Sequence, residues 1–320
     1  MDEVWDTIII GAGSAGMAAA IYAARFNLKV LVIGKEVGGL LNESHNVENY
    51  PGYKSITGID LMLKFKEHMD NLDVPTKTEW VTEVKAENYD DPKKCIYNVI
   101  TDKGEYKGKT IIFTNGTKHR KLNAKGEEAL SGKGVSYCAT CDAAFYKNIP
   151  VAIVGGGDSA ALAGQLVSEF ASKVYVIVRK NKMRAEPINL QRLEKNEKVE
   201  ILYETEVEEI LGENLVEKII LSKEYNGSKE LPVEGVFIEI GQIIQSELAE
   251  KMGVTLNERK EIIINENSET NLRGVYAAGD VGNKEYKQAL TGASEGAIAA
   301  FAAYALLQKI HEGEDVDVRY

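Results

Sequence analysis

Tyr137-Cys138-Ala139-Thr140-Cys141-Asp142 places two thiols two residues apart with a carboxyl next to the second. Such a pair can close a small disulfide, and a helix start or nearby positive charge lowers the thiolate pKa and makes it reactive. Asp142 stands where it could carry the proton that each exchange step needs. Half of a zinc site is the competing interpretation. It is weakened by the shortage of other ligands: the only further cysteine is Cys95, and His45, His68, His119 and His311 have no ligand spacing. No metal is expected. Cys138 and Cys141 are therefore candidate redox residues, with Asp142 beside them, provided the chain can supply electrons.

Two glycine motifs are the candidate suppliers. Thr7-Ile8-Ile9-Ile10 suits a buried parallel strand and runs into Gly11-Ala12-Gly13-Ser14-Ala15-Gly16. A helix-forming stretch, 17–25, and a second strand, 29–33, follow, which is the setting a dinucleotide-binding turn requires. Gly11 makes the turn, Gly13 admits a pyrophosphate, and Gly16 lets helix and strand pack closely. Glu36 lies about twenty residues on, where an acid holds a ribose hydroxyl. The motif returns after the cysteines. Val151-Ala152-Ile153-Val154 leads into Gly155-Gly156-Gly157-Asp158-Ser159-Ala160, then a helix over 161–171 and a strand over 174–178. That strand ends in Arg179 and Lys180 where an NAD site has an acid. Basic residues there suit a 2′-phosphate, hence NADPH, although they also suit a solvated strand end.

The remaining chain is framework. Residues 60–72 read as an amphipathic helix with Leu61, Phe65, Met69 and Leu72 on one face, and 80–102 as a strand meander. Residues 109–114 return as a parallel strand ending at Asn115-Gly116-Thr117, where Gly116 marks a chain crossover or a close cofactor approach. Residues 256–264 read as a hairpin, 275–280 as a strand ending in Gly279-Asp280, 291–307 as a small-residue helix, and 311–320 as a mobile acidic tail. Cys95 reads as a packing residue in a strand.

The chain has 320 residues, enough for two domains, with 44% hydrophobic and 27% charged residues. A formal net charge of −11 argues against a nucleic-acid footprint, which needs a basic face. The acidic start offers no signal peptide, and the apolar run 297–307 is too short to span a bilayer. A cytoplasmic protein with no membrane partner is expected, where a CxxC pair serves catalysis more often than structure. Two dinucleotide sites and a dithiol make a relay from nicotinamide to flavin to disulfide. The acidic first site suits FAD and the basic second site suits NADPH.

On these residues the chain resembles the low-molecular-weight thioredoxin reductases from end to end. The Cys138-to-Asp142 segment is similar to that family's redox centre and lies just before the second glycine motif, as the family has it. The family's FAD contacts are matched by residues 11–16, Gly38-Gly39 with Leu40, Glu48-Asn49-Tyr50-Pro51-Gly52, Thr114 to Thr117, Gly279-Asp280, and Gln288-Ala289. Asn115 stands where alanine is usual.

The resemblance implies an α/β fold of two Rossmann-like three-layer domains, the second inserted in the first. The FAD-binding domain is expected over 1–117 and 246–320, and the NAD(P)H-binding-like domain over 118–245. It implies Cys141 against the flavin, Cys138 as nucleophile, Asp142 as acid-base group, a homodimer, domain rotation between two arrangements, and thioredoxin as substrate. Three departures fall in the second site. The family reads His-Arg-Arg-x-x-x-Arg where this chain has Val178-Arg179-Lys180 and Arg184. Leu162-Ala163 replaces an acidic pair, and Gly241 to Ser246 lacks a Pro-Asn. Some relatives resembling this family, with a nucleotide motif changed in similar ways, take electrons from reduced ferredoxin or a deazaflavin. The expected activity is thus thioredoxin-disulfide reduction from NADPH through a variant pocket. Ferredoxin or another donor is the alternative, and a non-catalytic nucleotide sensor the distant one. Tyr320 could stack on a flavin face.

Overall fold

The computed structural model describes residues 3–44 and 47–313, so His45, the end of the acidic tail and Tyr320 lie outside the described residues. Two compact units emerge, one of residues 1–118 and 244–320, the other of 119–243. The sequence-based borders fall within two residues of these divisions.

The first unit is built on β1 (Val4–Ala12), whose isoleucines have no polar break because both sheet faces are covered. Helix α1 (Ser14–Arg25) follows, then β2 (Val30–Val37), α2 (Gly58–Asp70) and β3 (Thr76–Thr78). β1 and β2 pair in parallel, Ile8 opposite Leu31. The expected meander is β4 (Val81–Glu87) and β5 (Ile96–Thr101), antiparallel and joined to β6 (Glu105–Phe113). β6 lies parallel to β1, giving the order β3-β2-β1-β6-β5-β4. Cys95 is buried one residue ahead of β5.

The chain leaves this unit through β7 (Thr117–His119). In the second unit β8 (Val135–Ser136) precedes the four-residue α3 (Ala139–Asp142) that holds the dithiol. β9 (Pro150–Val154), α4 (Asp158–Phe170), β10 (Lys173–Val178), α5 (Pro187–Glu194) and β11 (Val199–Tyr203) repeat the first unit's strand-turn-helix plan. A three-stranded antiparallel sheet, β12 (Val207–Leu211), β13 (Lys218–Tyr225) and β14 (Ser228–Pro232), interrupts it. β15 (Gly235–Ile238) then returns to give the parallel order β11-β10-β9-β15-β8.

The chain comes back through β16 (Gln242–Ile244), which pairs with β7. Helix α6 (Glu247–Lys251), β17 (Val275–Ala277) and α7 (Ala289–Glu312) complete the first unit. The hairpin expected at 256–264 reduces to one antiparallel bridge, Leu256 to Ile262, because Ile262 is drawn to Gly282 by a second bridge. His311 and Glu312, read as tail, form the last turn of α7, which Gly313 ends in the left-handed conformation. The apolar run judged too short to span a bilayer lies within this helix, which by length and composition alone would suffice. Its buried side chains, Ala299, Ala300 and Ala303, instead join the core that contains Met17, Ala19 and Ala20 of α1. Small residues let the two helices approach so closely that a Cβ on Gly296 would lie 2.1 Å from the Ala15 carbonyl oxygen.

Candidate functional site

Cys138 and Cys141 are joined in a disulfide, with Cα atoms 5.3 Å apart. Cys138 caps α3: the Cys141 N–H donates to Cys138 Sγ at 3.1 Å. A backbone donor held on a sulfur favours its thiolate when the bond opens. The segment before it is tied down. The Cys138 N–H donates to Ser136 Oγ, and the Tyr137 hydroxyl donates to the buried Glu127 at 2.5 Å. Burial and that carboxylate push the Tyr137 phenol well above its ordinary range. Glu127 also accepts the N–H groups of Leu122 and Asn123, so one carboxylate fixes the approach to the dithiol. Cys141 is exposed and Cys138 half-buried. Asp142 is half-buried, and its carboxylate has no hydrogen-bond or ion-pair partner among the described residues.

The first unit gathers most of the expected FAD contacts. Gly11 closes β1 at φ +116, and a Cβ there would stand 2.3 Å from the Thr114 carbonyl oxygen. The Thr114 hydroxyl donates to the Gly11 and Ile10 carbonyls, clamping the turn. Gly13 caps α1 without any side-chain hydrogen bond, so the N–H groups of Ser14, Ala15 and Gly16 keep their helix-end character. Across from Gly13 stand Gly38 and Gly39, both at positive φ, followed by Leu40 in a 3-10 turn. The nearest atom to a Cβ on Gly13 is the Gly38 carbonyl oxygen at 3.9 Å. This bare-backbone cradle fits a dinucleotide pyrophosphate. Glu36 sits near the end of β2, within 3.4 Å of the Asn42 amide.

Gly279 packs 3.0 Å from the Ala15 Cβ by the same measure, which brings Asp280 to this end of α1. Burial raises the Asp280 carboxyl above the ordinary carboxylate range, with Lys287 opposing the shift. Gln288 caps α7 in a reciprocal box with Thr291 and accepts from the Asn49 amide at 2.9 Å, so Ala289 begins that helix at the same place. Gly116 follows Thr114 and Asn115, whose backbone a Cβ on Gly11 would meet at 2.3 and 2.7 Å, and its own carbonyl accepts the Gln245 N–H. Two residues escaped sequence reasoning. Lys287 donates to the Asp280 carbonyl, and Glu295 accepts the Gly279 N–H at 2.8 Å. Glu295 had a visible signal: it is the single acid of α7 before Glu312.

In the second unit a Cβ on Gly155 would fall 2.2 Å from the Glu239 carbonyl oxygen, whereas Gly157 faces open space. Gly157 caps α4 with no side-chain bond, and Ser159 and Ala160 follow in its first turn. Asp158 turns aside to accept from the Glu186 N–H and the Asn189 amide. The Arg184 N–H donates to the Gly156 carbonyl at 2.7 Å, holding the 179–186 loop against the glycine turn. Such a cradle fits a second dinucleotide. Val178 is 2% exposed and belongs to the core, so it presents nothing to a ligand, while Leu162 of α4 is 40% exposed. Arg179 pairs with Glu206 at 3.6 Å. Lys180 and Arg184 have no side-chain partner among the described residues.

Residues 5–296 match the family described as pyridine nucleotide-disulphide oxidoreductase. The chain is 39% identical to a thioredoxin reductase of Listeria innocua over 99% of its own length and 98% of the relative's. It is equally similar, 39%, to one of Bacillus subtilis, over 97% of each. Among solved structures it superimposes on the Lactococcus lactis thioredoxin reductase with a TM-score of 0.89 at 34% identity, covering 95% of this chain and 99% of that one. A ferredoxin-flavin thioredoxin reductase of Clostridium acetobutylicum is 33% identical over 97% of this chain and 100% of that one, with a TM-score of 0.52.

Proposed function

The chain belongs to the pyridine nucleotide-disulphide oxidoreductases, as a low-molecular-weight flavoprotein of the thioredoxin reductase type, and we propose that it reduces the disulfide of thioredoxin or a thioredoxin-like protein through Cys138 and Cys141. The carrying observation is the closed dithiol with the Cys141 N–H on Cys138 Sγ and, next in the chain, a carboxylate with no hydrogen-bond or ion-pair partner among the described residues. FAD, when bound, accepts a hydride equivalent and passes two electrons on to sulfur. The Gly13 and Gly39 backbone, the start of α1, Glu36, Asp280 and the Gln288–Ala289 helix start would hold it.

Opening the Cys138–Cys141 bond takes up two electrons and one proton, leaving a thiolate at Cys138 and a thiol at Cys141. Asp142 supplies and recovers a proton at the dithiol, and the hydrogen bond from Cys141 N–H keeps Cys138 in its reactive, ionised form. Cys138 then attacks the substrate disulfide, forming a mixed disulfide and releasing one substrate thiolate. Cys141 attacks Cys138 Sγ of that mixed disulfide, releases the second substrate thiolate and restores the internal bond. A homodimer belongs to this proposal, Tyr22 of α1 and Phe301 of α7 offering exposed apolar surface for it. So does a cytoplasmic setting, where a reducing pool keeps such pairs turning over.

For the donor, the open glycine turn, the uncapped α4 start and the unpaired Lys180 and Arg184 favour NADPH. A second reading, reduced ferredoxin or another non-pyridine donor, is favoured by Val178 being withdrawn into the core and by Leu162 on the exposed face of α4. Mixing the oxidised flavoprotein anaerobically with each donor separates them. Rapid bleaching of the flavin by NADPH supports the first reading. Bleaching by reduced ferredoxin alone, with none by NADPH or NADH, sinks it.

A further inference from the structure

We propose that Glu206 is a specificity-determining residue of the second nucleotide site, an internal counter-ion that competes with a nucleotide 2′-phosphate for Arg179. The inference rests on the pyridine-nucleotide reading above and concerns which nucleotide that site prefers.

β10 and β11 run in parallel with Val178 opposite Tyr203. Past that pair the chain doubles along the end of β10. The Glu204 N–H donates to the Lys180 carbonyl, and the Thr205 N–H to the Val178 carbonyl, both at 3.1 Å. Residues 204–206 therefore lie beside the segment that carries the 2′-phosphate cations. Glu204 stands in the left-handed region at φ +52, and its carboxylate reaches Lys223 at 3.5 Å, away from that group. Glu206 is anchored in both directions by Ser222: its N–H donates to Ser222 Oγ and its carbonyl accepts the Ser222 N–H, each at 2.9 Å. From that fixed backbone its Oε1 meets Arg179 Nε at 3.6 Å.

The cations assigned to the 2′-phosphate, three of the four in a loop that also carries Lys182, are thus unequal. Lys180 and Arg184 are unpaired among the described residues, while Arg179 already has an anion. The Arg179–Glu206 pair is exposed, 76% and 55% at the side chains, so it adds little to folding. Its consequence falls on ligands. A 2′-phosphate carries about −1.5 to −2 charges. It must separate Arg179 from Glu206 and then remain beside the displaced carboxylate. A nucleotide with a free 2′-hydroxyl displaces nothing, and its hydroxyl can donate to Glu206.

The test is Glu206→Gln, which removes the charge and keeps the shape, in the FAD-loaded full-length protein. Titration calorimetry compares 2′-phospho-ADP-ribose with ADP-ribose. The variant is expected to bind the 2′-phosphorylated ligand about fivefold more tightly, the upper end for an exposed pair. ADP-ribose affinity should stay within about twofold, and the selective gain should shrink as salt screens it. Adding Arg179→Gln should abolish the gain. If Glu206→Gln shifts both ligands equally, or neither, the inference is wrong while the pyridine-nucleotide reading stands. If neither ligand binds to wild type or variant, that reading fails and this inference fails with it.

Discussion

Gly13 and Gly16 lie three residues apart in one motif, yet the structure assigns them different duties that substitution to alanine should separate. Gly13 has φ −82, which any residue adopts, and a Cβ there comes no closer than 3.9 Å to the Gly38 carbonyl oxygen. Exchanging a glycine cap for alanine costs about 1 kcal/mol or less in the unloaded protein. The methyl group would, however, project into the cradle proposed to receive the pyrophosphate. Losing one or two charge-assisted bonds from backbone N–H groups amounts to about 3 kcal/mol. That is a fall of ~100-fold in FAD affinity. At Gly16 the Cβ would lie 2.0 Å from the Gly11 carbonyl oxygen and 2.6 Å from Thr114 Oγ1. Backbone must move there, at a cost above the roughly 1–3 kcal/mol of ordinary overpacking. Urea unfolding of the flavin-free proteins and FAD titration by fluorescence quenching read the two effects. Gly13→Ala should unfold like wild type and bind FAD weakly, whereas Gly16→Ala should lose stability before any flavin is added. A Gly13→Ala protein with wild-type FAD affinity would refute the placement of the pyrophosphate at this helix start.

Cys138→Ser should still have its flavin reduced by the donor but lose thioredoxin turnover; full turnover in an insulin-coupled assay would defeat the assignment of the nucleophile. Asp142→Asn should lower turnover by roughly 10²–10⁴-fold, the usual worth of a positioned acid-base group, without changing FAD content. An unchanged rate would remove Asp142 from proton transfer. Asp280 should oppose stability to function. Burial holds its folded pKa above the ordinary value of 3.8, so the folded state binds the proton more tightly than the unfolded chain. Stability of the flavin-free protein should therefore fall as pH rises past that ordinary value toward the raised one. Asp280→Asn should raise the urea midpoint at neutral pH while weakening FAD binding, and a lowered midpoint would show that the carboxylate is satisfied in the fold.

What could be recognised from sequence follows the range over which each requirement acts. Both glycine turns are legible because a strand, a positive-φ or open glycine and a helix start are contiguous, and their failure conditions are local. Gly11 and Gly155 occupy equivalent places, and a Cβ at either would collide with a backbone carbonyl of a neighbouring strand end. The dithiol is legible for the same reason: its hydrogen bond spans three residues. The antiparallel strands β12 to β14 are not, since charged residues such as Glu208, Glu209, Lys218 and Lys223 blur their alternation. Only packing of Val207, Ile210, Ile219, Leu221 and Leu231 in one core reveals the apolar face.

The donor site is the least legible part because its charge balance is assembled from separate segments. Arg179 and Lys180 advertise a phosphate at the end of β10, and the acid that pairs with Arg179 is distant in sequence. Glu206 reaches Arg179 only because β11 runs parallel to β10 and the chain then doubles back beside residues 178–180. A motif reports the charges on its own segment, whereas a phosphate responds to all charges around it. Cations counted along the sequence therefore overstate the attraction for a 2′-phosphate by the one carboxylate that the topology delivers.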